Sequence, residues 1–210
     1  MNSVMICYLL CCFALLMLLV ACSSKASPTV VPTPQLPDTL ELKSALLSAS
    51  DIGTGWVLQT VDDKNGVLDL PCGNTPPDTR YVRVTEIFTQ DTTRSRLSET
   101  IAAFHQGKAT EWMDDAQAGT GCTPLDGTDP HGTPIATTVE PLTLEPLGDQ
   151  SFGYRMTTNY AGVSYVSELA FIRQDDVILE VGESINADSE NDQMNSLEQQ
   201  ALDKLQANPF

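Results

Sequence analysis

Leu19-Val20-Ala21-Cys22 has the form of a bacterial lipobox, placed directly after an apolar run from Met5 to Val20. A leucine three residues before a cysteine and a small residue just before it fit a lipoprotein signal peptidase. The chemistry expected is acylation. The Cys22 thiol receives diacylglycerol, residues 1–21 are cut away, and Cys22 becomes the lipidated N-terminus. The apolar run is about 16 residues long, short of the roughly 20 that span a bilayer. A signal h-region is usually shorter still, about 7–15 residues. No Lys or Arg precedes Lys25, so a retained anchor stays open as the alternative. Both readings export the remainder.

Loss of residues 1–21 removes Cys7, Cys11 and Cys12. With Cys22 lipidated, Cys72 and Cys122 are left, and an even pair in an exported chain most simply forms one disulfide. Closing a loop of roughly 50 residues contributes about 4 kcal/mol on chain-entropy arithmetic. No CxxC spacing points to a redox or metal pair.

Other residues that could do chemistry are sparse. Hydrolysis by a nucleophile needs a base and an orienting group beside it. The chain has two histidines, His105 and His131, and no GxSxG elbow. Asp126, Asp129 and His131 lie within six residues and could reach one cation, yet Asp, Gly and Pro there also suit a tight turn. Asp188, Glu190 and Asp192 have calcium-loop spacing. Gln193 and Gln199 stand where that loop wants Gly and Glu, and acids at a helix start answer to the helix dipole. Asp114-Asp115 and Asp175-Asp176 are sequence neighbours on an expected helix and an expected turn, which is poor placement for an acid and base facing one cleft. No phosphate-cradling or dinucleotide glycine loop occurs. No metal and no cofactor is expected. Trp56, Tyr154, Tyr160 and Tyr165 would line an apolar pocket or serve as core. Arg155 would anchor an anionic ligand or form a surface ion pair.

Eleven basic and 28 acidic residues give a formal charge of −17, all of it beyond Cys22. Such a domain repels nucleic acid and anionic membrane surfaces. Cations or a basic partner suit it, as does plain solubility.

The elements that must position these residues begin after residues 22–37, a lipidated start and a linker. Its SSKASPTVVPTPQLP stretch carries four prolines and reaches up to about 45 Å in polyproline form. Residues 38–210 then read as one domain. A helix is expected from Thr39 to Ser50 with Leu40, Leu46 and Leu47 inward. A strand is expected at Tyr81–Thr89. The 22 residues from Leu97 to Ala118 place Leu97, Ile101, Phe104, Trp112, Met113 and Ala116 near one helical stripe, ended by Gly119. Strands follow at Thr133–Leu142, Phe152–Tyr160, Val163–Arg173 and Val177–Glu183, turning at Gly162 and at Asp175-Asp176. A last helix, Ser189–Gln206, carries Met194, Leu197, Ala201, Leu202 and Leu205. The expected fold is α+β: an antiparallel sheet of about five strands packed with a long central helix and a C-terminal helix, with one disulfide.

The order of parts is similar to a known family. Leu46-Leu47-Ser48-Ala49-Ser50-Asp51 runs into Gly55-Trp56. Cys72, a strand, a long helix and Cys122 come next, then Leu147-Gly148-Asp149-Gln150-Ser151, an aromatic strand, a hairpin and a terminal helix. This resembles the extracellular sensor domains of actinobacterial lipoproteins and of mycobacterial PknH-type serine/threonine kinases, over about Leu40–Ala207. The resemblance implies an α+β domain with a cleft for an unidentified ligand. Mycobacterial members usually carry two disulfides, whereas this chain can form one, and it has no kinase segment.

Together these observations lead to an expectation of a non-enzymatic binding domain on the outer face of a membrane, anchored through lipid at Cys22. Its partner would be a small ligand or an envelope protein, not nucleic acid. The alternatives are an extracytoplasmic hydrolase and a structural envelope protein without ligand.

Overall fold

The computed structural model describes residues 35–62, 68, 70, 81–90, 92, 95–118, 125–186 and 194–210. They fall in one compact unit, Pro34–Phe210. Cys22, Cys72 and Cys122, Gly119 and the acidic run 188–192 lie outside the described residues. So does the apolar run 5–20. Among the described residues no helix is long and apolar enough to cross a membrane.

Eight strands form one antiparallel sheet in the order β1-β2-β3-β8-β7-β6-β5-β4. They are β1 (Trp56–Asp62), β2 (Tyr81–Gln90), β3 (Ser95–Phe104), β4 (Leu125–Thr128), β5 (Pro134–Leu142), β6 (Gln150–Tyr160), β7 (Val163–Gln174) and β8 (Val177–Asn186). The described helices are α1 (Thr39–Ala45), the single turn α2 (Ala49–Ile52), α3 (Lys108–Ala118) and α4 (Met194–Ala207). Five strands around a long central helix was therefore the wrong architecture: the molecule is mostly sheet. The strands at 56–62, 95–104 and 125–128 were not anticipated.

The long helix expected over 97–118 divides in two. Its first part is β3, the third strand of the sheet, hydrogen-bonded to β2 and β8 on either side. Both faces of β3 are covered, so every residue from Glu99 to Phe104 is buried, and the alternation that marks a half-exposed strand is lost. Leu97, Ile101 and Phe104 then fall by coincidence at helical spacing. Gly107, at φ 78°, makes the break, and only Lys108–Ala118 coils, burying Ala109, Trp112, Met113 and Ala116.

The first helix also ends early. Asp38 caps it, accepting the N–H groups of Leu40 at 2.8 Å and Glu41 at 2.9 Å, which satisfies donors a helix start leaves free. Leu46 is extended (φ −70°, ψ 150°), so Leu46 and Leu47 enter the core by a bend. Leu40, expected inward, is 74% exposed.

The two faces of the sheet bury different chemistry. On the first, α1, α2 and α4 cover aliphatic positions of β2, β3, β7 and β8, including Val84, Leu97, Ile101, Ile172, Leu179 and Val181. Met194, Leu197, Ala201, Leu202 and Leu205 of α4 all turn into it, as their spacing indicated. On the second, α3 lies on an aromatic cluster. Phe171 stacks on Phe152 at 5.1 Å between centroids and meets Trp112 at 5.5 Å and Tyr154 at 5.8 Å.

Turns hold the strand ends. Gly148, at φ 59°, passes so close to β7 that a Cβ would lie 2.4 Å from the Arg173 carbonyl oxygen. Only glycine fits there. At the sheet's edge, β1 carries an irregularity in its pairing between Leu58 and Thr60.

Candidate functional site

A cleft of about 590 Å³ opens at the end of the sheet where β3 finishes and β7 turns into β8. Its floor is apolar, with Ala103, Phe104, Val177 and Leu205. Leu36 and Pro37 wall one side, and Pro209 and Phe210 another. Its rim is polar, with Gln35, His105, Gln106, Gln174, Asp175, Asp176 and Gln206. The volume lies in the range of small-molecule sites, as does an apolar lining with a few polar groups.

Local hydrogen bonds fix this end of the sheet. The β7–β8 turn puts Asp175 at φ 54°, a left-handed conformation that Asp tolerates better than most residues. Asp149 Oδ2 accepts the Asp175 N–H at 2.7 Å and the Arg173 guanidinium at 3.1 Å. The Asp176 carbonyl accepts the Phe104 N–H at 2.9 Å, and its Oδ1 accepts the Gly107 N–H at 2.6 Å. Asp176 thus joins the β7–β8 turn to the β3–α3 turn. Gln206 donates to Gln174 at 3.1 Å, tying α4 to the same rim.

None of the five residues expected to line a pocket reaches this cleft. Trp56 is buried in the aliphatic core and Tyr154 in the aromatic cluster. Tyr160 and Tyr165 are exposed, 36% and 44%, on the outer part of the β6–β7 hairpin. The Tyr160 hydroxyl donates to Asp129 at 2.8 Å. Arg155 pairs with Glu168 of β7, its Nε donating at 2.7 Å.

Asp129 serves a turn. Its Oδ1 accepts the N–H groups of His131 and Thr133, each at 2.8 Å. The Thr133 backbone bond and then the Tyr160 hydroxyl hold its carboxyl below the usual carboxylate range. His131 is exposed. Among the described residues no three His, Cys, Asp or Glu side chains stand close enough to share a metal ion. His105 does line the cleft. The lining offers no Ser, Thr, Cys, Lys or Tyr among the described residues; its groups capable of nucleophilic or acid–base chemistry are Asp175, Asp176 and His105.

A second group of residues escaped the sequence reading: carboxyls under the α1–α2–α4 layer. Glu99 of β3 and Glu198 of α4 are both 0% exposed. Glu99 Oε2 accepts the Leu47 N–H at 2.6 Å; Glu99 Oε1 and both Glu198 oxygens have no hydrogen-bond partner. Burial pushes the Glu99 carboxyl up to about 8 despite the Leu47 bond. Burial, with the Glu168 charge adding, raises Glu198 to about 7. Burial also raises Glu86, which pairs with Glu99 across β2 and β3. Glu99 was findable: it stands in the inward register of Leu97, Ile101 and Ala103 once that segment is read as a strand. The cleft residues carry no such signal, since they come from separate turns and segment ends.

No protein-family model and no curated protein matches the chain. Solved structures do. The extracellular domain of PknH from Mycobacterium tuberculosis superposes with a TM-score of 0.62 at 13% identity, over 82% of this chain and 98% of that one. An uncharacterised protein from Mycobacterium smegmatis matches with a TM-score of 0.43 at 11% identity, over 84% of this chain and 95% of that one. The chain has the fold of the PknH extracellular domain, the family that its order of motifs resembles.

Proposed function

We propose that the chain is a non-enzymatic binding module outside the cytoplasm, held to a membrane by lipid on Cys22, which takes a small ligand into the cleft at the end of the sheet. The cleft carries this reading. Its 590 Å³ and apolar floor suit an apolar body. The glutamines and the two aspartates on its rim suit an amide or ammonium group on the same molecule. The extracytoplasmic setting is supported by the lipobox and by the fold, which a domain described as extracellular shares. The carboxyls with raised pKa, a common mark of catalytic sites, lie under helices and not in the cleft.

Native mass spectrometry of the full chain, exposed to envelope extract of its host, tests the reading. A reproducible added mass is expected, and Gln174→Trp, which crowds the cleft from its rim, should abolish it. A bare mass under gentle conditions, or an adduct that survives Gln174→Trp, overturns the cleft assignment. Two covalent features belong to the same proposal. Cys22→Ser should release the protein from membranes or stall its processing. Non-reducing digestion should give a Cys72–Cys122 linked peptide, and two free thiols would count against export.

A further inference from the structure

The layer of α1, α2 and α4 rests on carboxyls as well as on hydrocarbon. Glu99 stands beneath it between Leu97 and Ile101, and Glu198 faces down from α4 beside Leu197 and Ala201. Neither has any exposed surface. Three of their four oxygens meet no donor. An ionised carboxylate in such a place is costly, because nothing replaces the water it lost.

The charges around them do not offset this. Glu86 faces Glu99 from β2. Glu183 of β8 lies buried in register with Leu97, and with Glu168 of β7. Glu168 is already held by Arg155 of β6 at 2.5 Å. On the helices, Lys204 of α4 is held by Asp51 of α2 at 2.7 Å, and Lys43 of α1 acts on Glu86. Acids outnumber cations in this interface; Lys204 also favours the charged forms of Glu99 and Glu86, but burial outweighs it.

We propose that the helical layer is a proton-held cover: it sits on the sheet while Glu99 and Glu198 are neutral and loosens once they ionise. Their carboxyls, raised from 4.5 to about 8 and about 7, make the seated layer progressively costlier from about pH 4.5 up to about pH 8. Loosening alters the end cleft, because α4 supplies Leu205 and Gln206 to its wall and leads into Pro209 and Phe210. The cover stands whether or not the cleft takes a ligand, since its seating can be read on the unliganded protein.

Hydrogen–deuterium exchange on the full chain at pH 6 and pH 9, corrected for the intrinsic chemistry of exchange, reads it directly. Residues 194–207 should exchange roughly tenfold faster or more at pH 9, while residues 108–118 on the other face serve as an internal reference and hold steady. Glu99→Gln and Glu198→Gln, singly and together, should cut the response, since a neutral amide of the same shape cannot ionise. Equal responses of α4 and α3 in the unaltered protein overturn the proposal even if a variant fails to fold. An undiminished α4 response in a folded double variant overturns it as well.

Discussion

The two faces of the sheet are about equally dry and differ in what they bury. Under α3 the contacts are mostly rings: Tyr81, Phe104, Trp112, Phe152, Tyr154 and Phe171 form one continuous chain of aromatic neighbours, with the buried Glu180 of β8 in register with Phe171. Under α1, α2 and α4 the contacts are aliphatic, interrupted by Glu99 and Glu198. Ring packing depends on shape and area, which no proton changes. Burial of a carboxyl depends on whether it is charged. The two covers should therefore answer differently to the same change of solvent.

Substitutions can break that comparison or sharpen it. Trp112→Ala, which empties the middle of the aromatic face, should cost about 3–5 kcal/mol. Urea unfolding should give the same loss at pH 6 and at pH 9.

On the other face the unaltered protein should itself lose stability as pH rises. Glu99 and Glu198 have folded pKa values above their ordinary 4.5. The native state thus keeps protons that the unfolded chain releases, so the cost grows from about pH 4.5 and levels off above about pH 8. Stability at pH 9 should be lower than at pH 5 by several kcal/mol, since each pKa unit between the folded and unfolded states is worth about 1.4 kcal/mol. Urea titrations across that range should show the fall, and Glu99→Gln should flatten most of it.

Gly148→Ala probes a turn that belongs to neither cover. Its Cβ would run into the Arg173 carbonyl, with an expected cost of about 1–3 kcal/mol at every pH.

The smallest effect should come from Lys204→Ala. It releases Asp51, whose carboxyl the Lys204 hydrogen bond holds down at about 2. That contribution is present above about pH 4 and lost as pH falls toward 2. The pair is partly solvated, so about 0.5 kcal/mol is expected.

What the sequence made legible follows the same division. Strands β5 to β8 and α4 were readable because their turns are explicit, with Gly162 at φ 81° and Asp175 at φ 54° where breaks were expected. Strand β3 was not readable, because burial on both faces removes the period of two and leaves Ala and Glu to imitate a helix. Coiled as a helix, the same segment would set Glu99 away from the stripe of Leu97 and Ile101. The β1 strand was hidden by exposure: Val57 and Leu58 are 56% and 43% exposed, so it shows no clean inward face. The cleft was hidden because its walls meet only after folding. Gln35, Gln106, Gln174 and Phe210 are far apart in sequence and ordinary in type.

An open sheet of eight strands has two free margins, and each is a template on which another chain could add a strand. Here both are spoiled. On one side the ladder skips at Gln59, between Leu58 and Thr60, and on the other β4 offers four residues among those described, Leu125–Thr128. Neither margin gives a visiting strand a long, regular row of donors and acceptors. The described part of the sheet would thereby resist growing into fibres by strand addition, wide as it is.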